Sequence, residues 1–192
     1  MGNSPSILTT ENLDELHKET GFTHHQIKRL HRRFNALDKE DKGYLQMKDL
    51  QLIPELALNP LGTRIIQSFF ELKGGPQCDS INFHQFVLTL ACFQSAKKSK
   101  TEDRTNITDA KIDFIFKCYD VSNSDQITKS DLVHVLTCMV GQHVSMEQTV
   151  AIAEKTLREG DKAGNGKISN AEFREALTDI DLEEKMTIRF LA

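Results

Sequence analysis

The sequence predicts an all-α protein of four helix–loop–helix units, paired into two lobes, with a short two-stranded β contact between the loops of each pair. Three observations predict it. Residues 161–172 place Asp161, Asn165, Ser169 and Glu172 at loop positions 1, 5, 9 and 12, around Gly166 at position 6. Weaker copies of this stretch begin at Asp38, Gly74 and Asp120, and position 8 of the four is Leu45, Ile81, Ile127 and Ile168, aliphatic every time. The residues four before each loop (Phe34, Phe70, Phe116, Leu157) and just after it (Leu50, Phe86, Leu132, Phe173) are apolar in the same register. A single helix–loop–helix cannot bury its apolar face alone, so the units pair, first with second and third with fourth.

The 192 residues are enough to bury a core as one domain or two small lobes, and the net charge of −4 is too mild to suggest nucleic acid. Cys78, Cys92, Cys118 and Cys138 stand alone without C-x-x-C spacing, and no apolar signal segment precedes them. They read as reduced thiols of a cytosolic protein. No apolar run approaches the roughly 18 residues of a spanning helix, so membrane contact would come through a lipid or a partner.

Along the chain, Met1-Gly2-Asn3-Ser4-Pro5-Ser6 fits the pattern for removing Met1 and myristoylating Gly2. One such chain gives only about 10⁴ M⁻¹ of membrane binding, so it calls for a second attachment. Residues 1–22 form this segment and a short acidic helical piece over 11–19. The N-terminal lobe then spans 23–93, with loops 38–49 and 74–85. Thr23 and Gln26 make an N-terminal capping box, and Ile27, Leu30, Phe34 and Leu37 follow at helical spacing. Lys28, Arg29, Arg32 and Arg33 fill the polar side of that helix, a face that suits either solvent or anionic lipid. Asn59-Pro60 is expected to cap the helix leading to the second loop. Residues 94–106 have no apolar periodicity and read as a linker. The C-terminal lobe spans 107–192, with loops 120–131 and 161–172. Ser145 and Gln148 cap the helix carrying Met146, Val150, Ala153 and Leu157, and Gly141 ends the helix before it.

The stretch 161–172 matches the twelve-residue EF-hand calcium loop at each fixed place except the third, where Ala163 supplies no oxygen. A hard cation takes oxygens from positions 1, 3, 5, 7 (a backbone carbonyl), 9 and 12. The fourth loop offers Asp161, Asn165, the Lys167 carbonyl, Ser169 and Glu172, and is expected to be the best site. Its Kd for Ca²⁺ is expected on the order of 10⁻⁶ to 10⁻⁴ M. The third loop offers Asp120, Ser122, Ser124, the Gln126 carbonyl, Thr128 and Asp131, a weaker site with a tilt towards Mg²⁺. Its turn carries Asp125 in place of glycine, and Asp131 is one methylene shorter than the glutamate that ligates through both oxygens. In the first loop Lys42 puts an ammonium where a ligand oxygen belongs. The second has no carboxylate at position 1 or 12 and is a scaffold.

Met1-Gly2-Asn3, the segment Ile53-Pro54-Glu55-Leu56-Ala57-Leu58-Asn59-Pro60-Leu61-Gly62, Met139-Val140-Gly141 and the end Glu184-Lys185-Met186-Thr187-Ile188-Arg189-Phe190-Leu191, with two spoiled hands ahead of two better ones, resemble the calcineurin B homologous proteins over nearly the whole chain. Calcineurin B itself is similar at Met1-Gly2-Asn3 and Met139-Val140-Gly141, but its four loops are competent. The resemblance implies a myristoylated cytosolic cofactor, peripheral to the plasma membrane. It would grip a juxtamembrane amphipathic helix in the tail of a sodium/proton exchanger, supporting that protein's stability and activity, with calcium in the third and fourth hands. It also implies, for some members, restraint of the phosphatase calcineurin. Asp131 and Ala163 depart from the family pattern, where a Glu and an acidic ligand are expected.

The residues support helix binding independently. Phe83, Phe86, Val87 and Leu90, and Leu132, Val135, Leu136 and Met139, form apolar stripes that suit either a core or a groove for a helix with i, i+3, i+4, i+7 anchors. A calcium-responsive phosphatase regulator is the alternative within binding proteins. A buffer would need several full loops. The seven histidines form no metal or triad spacing, which sets an enzyme aside.

Overall fold

The computed structural model describes residues 8–71, 79–93 and 101–178. Gly2, the start of the second loop, residues 94–100 and the segment 184–191 lie outside them. Helix α1 (Thr10–Thr20) begins where Thr9 Oγ1 accepts the Asn12 N–H at 3.2 Å, and ends at Gly21 in the left-handed region. Helix α2 (His24–Leu37) starts on the expected Thr23/Gln26 capping box. Strand β1 (Tyr44–Leu45) and the short α3 (Met47–Leu50) follow, then α4 (Pro54–Ala57) with Pro54 in its first turn and α5 (Gly62–Glu71). Strand β2 (Ile81–Asn82) leads into α6 (Phe83–Ala91). The C-terminal half contains α7 (Thr101–Tyr119), β3 (Gln126–Thr128), α8 (Lys129–Val140), α9 (Met146–Gly160), β4 (Lys167–Ser169) and α10 (Asn170–Ala176). A single 3₁₀ turn, Gly141–His143, joins α8 to α9, whose Ser145/Gln148 capping box and preceding Gly141 stop are as expected.

The fold is all-α with two minimal antiparallel sheets, and the position-8 residues are the partners that make them. Leu45 faces Ile81 across β1 and β2, and Ile127 faces Ile168 across β3 and β4. Each is at most 5% exposed, so each β contact is also a core contact. The large N-terminal core gathers Leu13 and Leu16 of α1, Phe22, the α2 stripe Ile27, Leu30 and Phe34, and the aromatic side chains of α5 and α6. Phe34 meets Phe83 and Phe86 edge to face at 5.5 and 5.6 Å, an arrangement that aromatic quadrupoles favour. The C-terminal core is smaller, with Phe116, Ile127, Leu132, Ala153 and Ile168 buried and Phe173 packed against it.

Three expectations change. Pro60 does not open the helix: α5 starts at Gly62, and Asn59 Oδ1 accepts the Leu61 N–H at 2.9 Å ahead of it. Gly62 packs so closely on α4 that a Cβ there would fall 1.8 Å from the Leu56 carbonyl oxygen, which explains the glycine. The linker expected over 94–106 overlaps α7, which is already helical at Thr101. Phe114 and Cys118 of α7 join the N-terminal core while Phe116 joins the C-terminal one, so this helix serves both lobes. Finally, Phe83, Phe86, Val87, Leu90, Leu132 and Val135 are at most 7% exposed and are buried side chains, not groove lining; all but Val135 pack into the core that holds their lobe's β contact. Of the eight residues expected at a groove, only Leu136, half-buried, and Met139, 51% exposed, reach the surface.

Candidate functional site

Three loops, 38–49, 120–131 and 161–172, share one hydrogen-bonded frame. In each, the position-1 carboxylate accepts the backbone N–H groups of positions 5 and 6. Asp38 takes Lys42 and Gly43 at 3.0 and 2.7 Å, Asp120 takes Ser124 and Asp125 at 2.9 Å each, and Asp161 takes Asn165 and Gly166 at 3.1 and 2.7 Å. Positions 4 and 6 adopt positive φ in every case: Asp41 and Gly43, Asn123 and Asp125, Gly164 and Gly166. Asp125 therefore makes the turn that glycine usually makes, with φ at 55°, and the third loop closes despite it.

The end of each loop is also the start of a helix. Position 9 is the N-cap and position 12 the third helical residue, and they exchange hydrogen bonds in the pairs Asn82/Gln85, Thr128/Asp131 and Ser169/Glu172. In the first loop the Gln46 N–H donates to Asp49 at 2.8 Å. The capping role explains why Gln85 can stand at position 12 of the second loop: a neutral amide caps a helix but is no strong cation ligand.

What differs between loops is the centre. In the first, Lys42 Nζ lies 2.9 Å from Asp49 and 3.5 Å from Glu40, so an ammonium occupies the middle of the ligand positions. Burial works to raise the Asp49 pKa, yet the Gln46 N–H and the Lys42 ammonium outweigh it and hold the carboxyl below its ordinary value.

In the third loop the oxygens face one another. Ser122 Oγ is 3.4 Å from Asp120 Oδ1, 3.2 Å from Ser124 Oγ and 3.2 Å from Asp131 Oδ2, and Ser124 Oγ donates to the Gln126 carbonyl at 2.9 Å. Asp131 spans the loop in spite of its shorter side chain: Oδ1 accepts the Ser122 N–H at 3.0 Å, while Oδ2 accepts the Thr128 N–H and hydroxyl at 2.8 and 2.6 Å. Asp120 and Asp131 are 0 and 3% exposed. Lys117 approaches Asp120 at 3.8 Å but bonds Asp125 on the outer side at 2.8 Å. Two buried carboxylates surrounded by hydroxyl and carbonyl oxygens suit a hard divalent cation, by ligand type and by charge.

The fourth loop is more exposed. Glu172 Oε1 accepts the N–H groups of Lys162 and Ala163 at 3.0 Å each, and Oε2 accepts the Ser169 N–H and hydroxyl at 2.8 and 2.6 Å. These donors, with the Ser169 hydroxyl the strongest, pull the Glu172 pKa down to about 2. Asn165 Oδ1 accepts the Lys167 N–H at 3.0 Å, and Ala163 leaves position 3 without a side-chain oxygen. The residues present, Asp161, Asn165, Ser169, Glu172 and the Lys167 carbonyl, fit a cation with one protein ligand missing. Among the described residues no three His, Cys, Asp or Glu side chains cluster for metal binding. Each of these two loops has a carboxylate at positions 1 and 12 and draws its other oxygens from hydroxyl, amide and backbone groups.

Sequence reasoning missed the residues that reach the third loop from outside. Arg64 and Glu71 of α5 and Lys117 of α7 contact its backbone, its side chains or its carboxylates. Arg64 meets residues more than fifty positions away, so no local pattern marks it.

Comparison with known proteins agrees with this geometry. Residues 109–178 match the EF-hand domain pair. The chain is 40% identical to a protein of Naegleria gruberi named as the B subunit of calcineurin, over 189 residues, covering 98% of this chain and 99% of that one. It is 37% identical to the type 2 calcineurin B subunit of Dictyostelium discoideum (99 and 98% covered). It is 32% identical to the calcineurin B subunit of Kluyveromyces lactis, with 98% of each chain covered.

Proposed function

This chain belongs to the calcineurin B family of EF-hand proteins, and on that premise we propose that it is a non-catalytic, calcium-binding regulatory subunit that grips an amphipathic helix of a larger partner. One observation carries the reading. On α8 the stripe runs from buried Leu132 and Val135 through half-buried Leu136 to Met139, 51% exposed; on α9 Ala153 is buried and the stripe emerges at Met146, 60% exposed. The two stripes open towards the turn that joins the helices. Exposed methionines at the ends of two apolar stripes on neighbouring helices suit a helix with i, i+3, i+4, i+7 anchors, because the flexible thioether adapts to the partner's shape.

The cation proposed for the third and fourth hands is Ca²⁺, with Mg²⁺ a competitor in the third. When bound it would neutralise paired carboxylates, which Asp120, Asp131, Asp161 and Glu172 supply, and stiffen the lobe that carries the two exposed methionines. Myristate on Gly2 and the partner would give the two attachments that hold the protein at the cytoplasmic face of the plasma membrane.

The partner we propose is the juxtamembrane helix of a sodium/proton exchanger. The segments 53–62 and 184–191 support it, as does the first loop, whose lysine argues against four-site calcium sensing. The second reading, a regulator or inhibitor of the phosphatase calcineurin, is favoured by the names of the relatives. Titration of the full chain with an exchanger-tail helix peptide and a calcineurin catalytic-subunit helix peptide, each with and without calcium, separates the two. Tight binding to the exchanger helix alone supports the first reading, preference for the phosphatase helix establishes the second, and binding to neither overturns both.

A further inference from the structure

We infer that Arg64 is a positioning residue for the third loop, by which α5 of the N-terminal lobe fixes the point where Asp120 enters the cation shell. The inference rests on reading residues 120–131 as a cation loop.

The last four carbonyls of a helix have no partner inside it, and the negative end of the helix dipole lies there. At the end of α7 one guanidinium from the other lobe supplies both hydrogen bonds and charge. Arg64 Nε donates to the Cys118 carbonyl at 3.3 Å, and Nη2 donates to the Asp120 carbonyl at 2.8 Å and to the Lys117 carbonyl. Arg64 is only 7% exposed, and Glu71, two turns further along α5, receives it through both oxygens at 2.8 and 3.0 Å. The planar guanidinium fork meets a carboxylate and several carbonyls at once, which an ammonium cannot.

The same ion pair touches the loop a second time. Asn123, at loop position 4, donates from Nδ2 to Glu71 Oε1 at 3.3 Å. The Asp120 backbone and the Asn123 side chain bracket the first turn of the loop, and both are held by groups seated on α5. Phe114 of α7 packs on Phe69 of α5 and on Phe93, with ring centroids 5.6 and 4.8 Å apart, so the helix that delivers Asp120 is aligned by the same lobe. Among the described residues no such guanidinium from the N-terminal lobe reaches the fourth loop, whose residues 162–167 are exposed. Because equilibrium coupling is reciprocal, a cation at 120–131 would in turn stabilise the seat of α5.

Charge and position have opposite consequences here, which makes the inference testable. If Arg64 acted only through its charge, removing it would tighten calcium binding by taking a cation from the neighbourhood. If it acts by holding the loop, removal weakens binding. The test is calorimetric titration of the full chain with calcium in a Glu172→Gln background, where the third loop reports. Adding Arg64→Met is expected to weaken binding about tenfold, within the usual range of coupling between sites. Asn123→Gly, which suits the positive φ of that position and leaves the buried ion pair intact, is expected to weaken it about threefold, the worth of one hydrogen bond. It decides the matter if Arg64→Met does not fold. In an Asp120→Ala background, where the fourth loop reports, neither change is expected to alter affinity. Calcium should also slow amide exchange in α5 of the wild type but not of Arg64→Met. Unchanged or tighter third-loop binding, or equal weakening at both loops, overturns the role of Arg64. No calcium binding by the Glu172→Gln chain itself overturns the cation reading of residues 120–131 beneath it.

Discussion

The two lobes are built on the same helix–loop–helix frame and end in opposite states. In the N-terminal lobe α1 packs its Leu13 and Leu16 into the aromatic core, Phe83, Phe86, Val87 and Leu90 are covered, and the first loop holds its own ammonium. In the C-terminal lobe the described core is small, Met139 and Met146 stand open, and the third loop encloses two buried carboxylates among neutral oxygens. The shared frame, a position-1 carboxylate bonded to the amides of positions 5 and 6, shows that loop shape does not depend on what sits inside it. A lysine turns one copy into a structural clasp, and hydroxyls leave another suited to a cation.

The largest way to break this comparison is to attack the closed core. Phe34 is 1% exposed and contacts Phe83 and Phe86, so Phe34→Ala is expected to cost about 3–5 kcal/mol in denaturant unfolding. Calcium affinity of the fourth loop, which lies in the other lobe, is expected to stay the same; a parallel loss would mean that the lobes fold as one unit. Ala163→Asp sharpens the open side. It supplies the oxygen missing at position 3 and is expected to tighten the fourth hand about tenfold in calcium titration, with helix affinity nearly unchanged if the ion only tunes the lobe.

A smaller effect comes from the clasp. The Asp49 carboxyl is held below its ordinary value when folded, so its contribution to stability is complete above the unfolded value, near pH 4, and is lost as pH falls through the folded value. Lys42→Met removes the ammonium and is expected to flatten the acid side of the N-lobe stability profile below about pH 4 while lowering stability at neutral pH. An acid titration followed by circular dichroism would show it. The smallest expected change in stability is at the exposed end of the α8 stripe: Met139→Glu, at a half-exposed site, should stay within about 0.5 kcal/mol of wild type yet weaken partner-helix binding clearly.

Much of the fold was legible because it is written in local or periodic signals. The position-8 aliphatics announced the pairs Leu45–Ile81 and Ile127–Ile168, and the Thr23/Gln26 and Ser145/Gln148 boxes announced two helix starts. Where reading failed, the geometry lay outside the simple rule. Pro60 suits a first helical turn, but it sits in a turn closed by Asn59, which accepts the Leu61 and Gly62 N–H groups ahead of α5. The polar run before Asn106 lacks apolar periodicity yet is helical from Thr101. An apolar stripe reads the same in a core or a groove, and burial alone separates Val87 from Met139. At the site, the ligand positions could be named from spacing, whereas the reach of Asp131 to Ser122 and the grip of Arg64 depend on tertiary geometry that spacing does not encode.

That the first loop is a finished cation loop with a lysine in its centre can be tested by one substitution. In Lys42→Asp, the ligand positions would hold Asp38, Glu40, the new carboxylate at position 5, the Tyr44 carbonyl, Gln46 and Asp49, a set with four carboxylates on a frame already closed by Asp41 and Gly43 at positive φ. Calorimetric stoichiometry on the full chain is expected to rise from two calcium ions in the wild type to three in Lys42→Asp. A wild type that already binds more than two, or a variant that gains none, would contradict it.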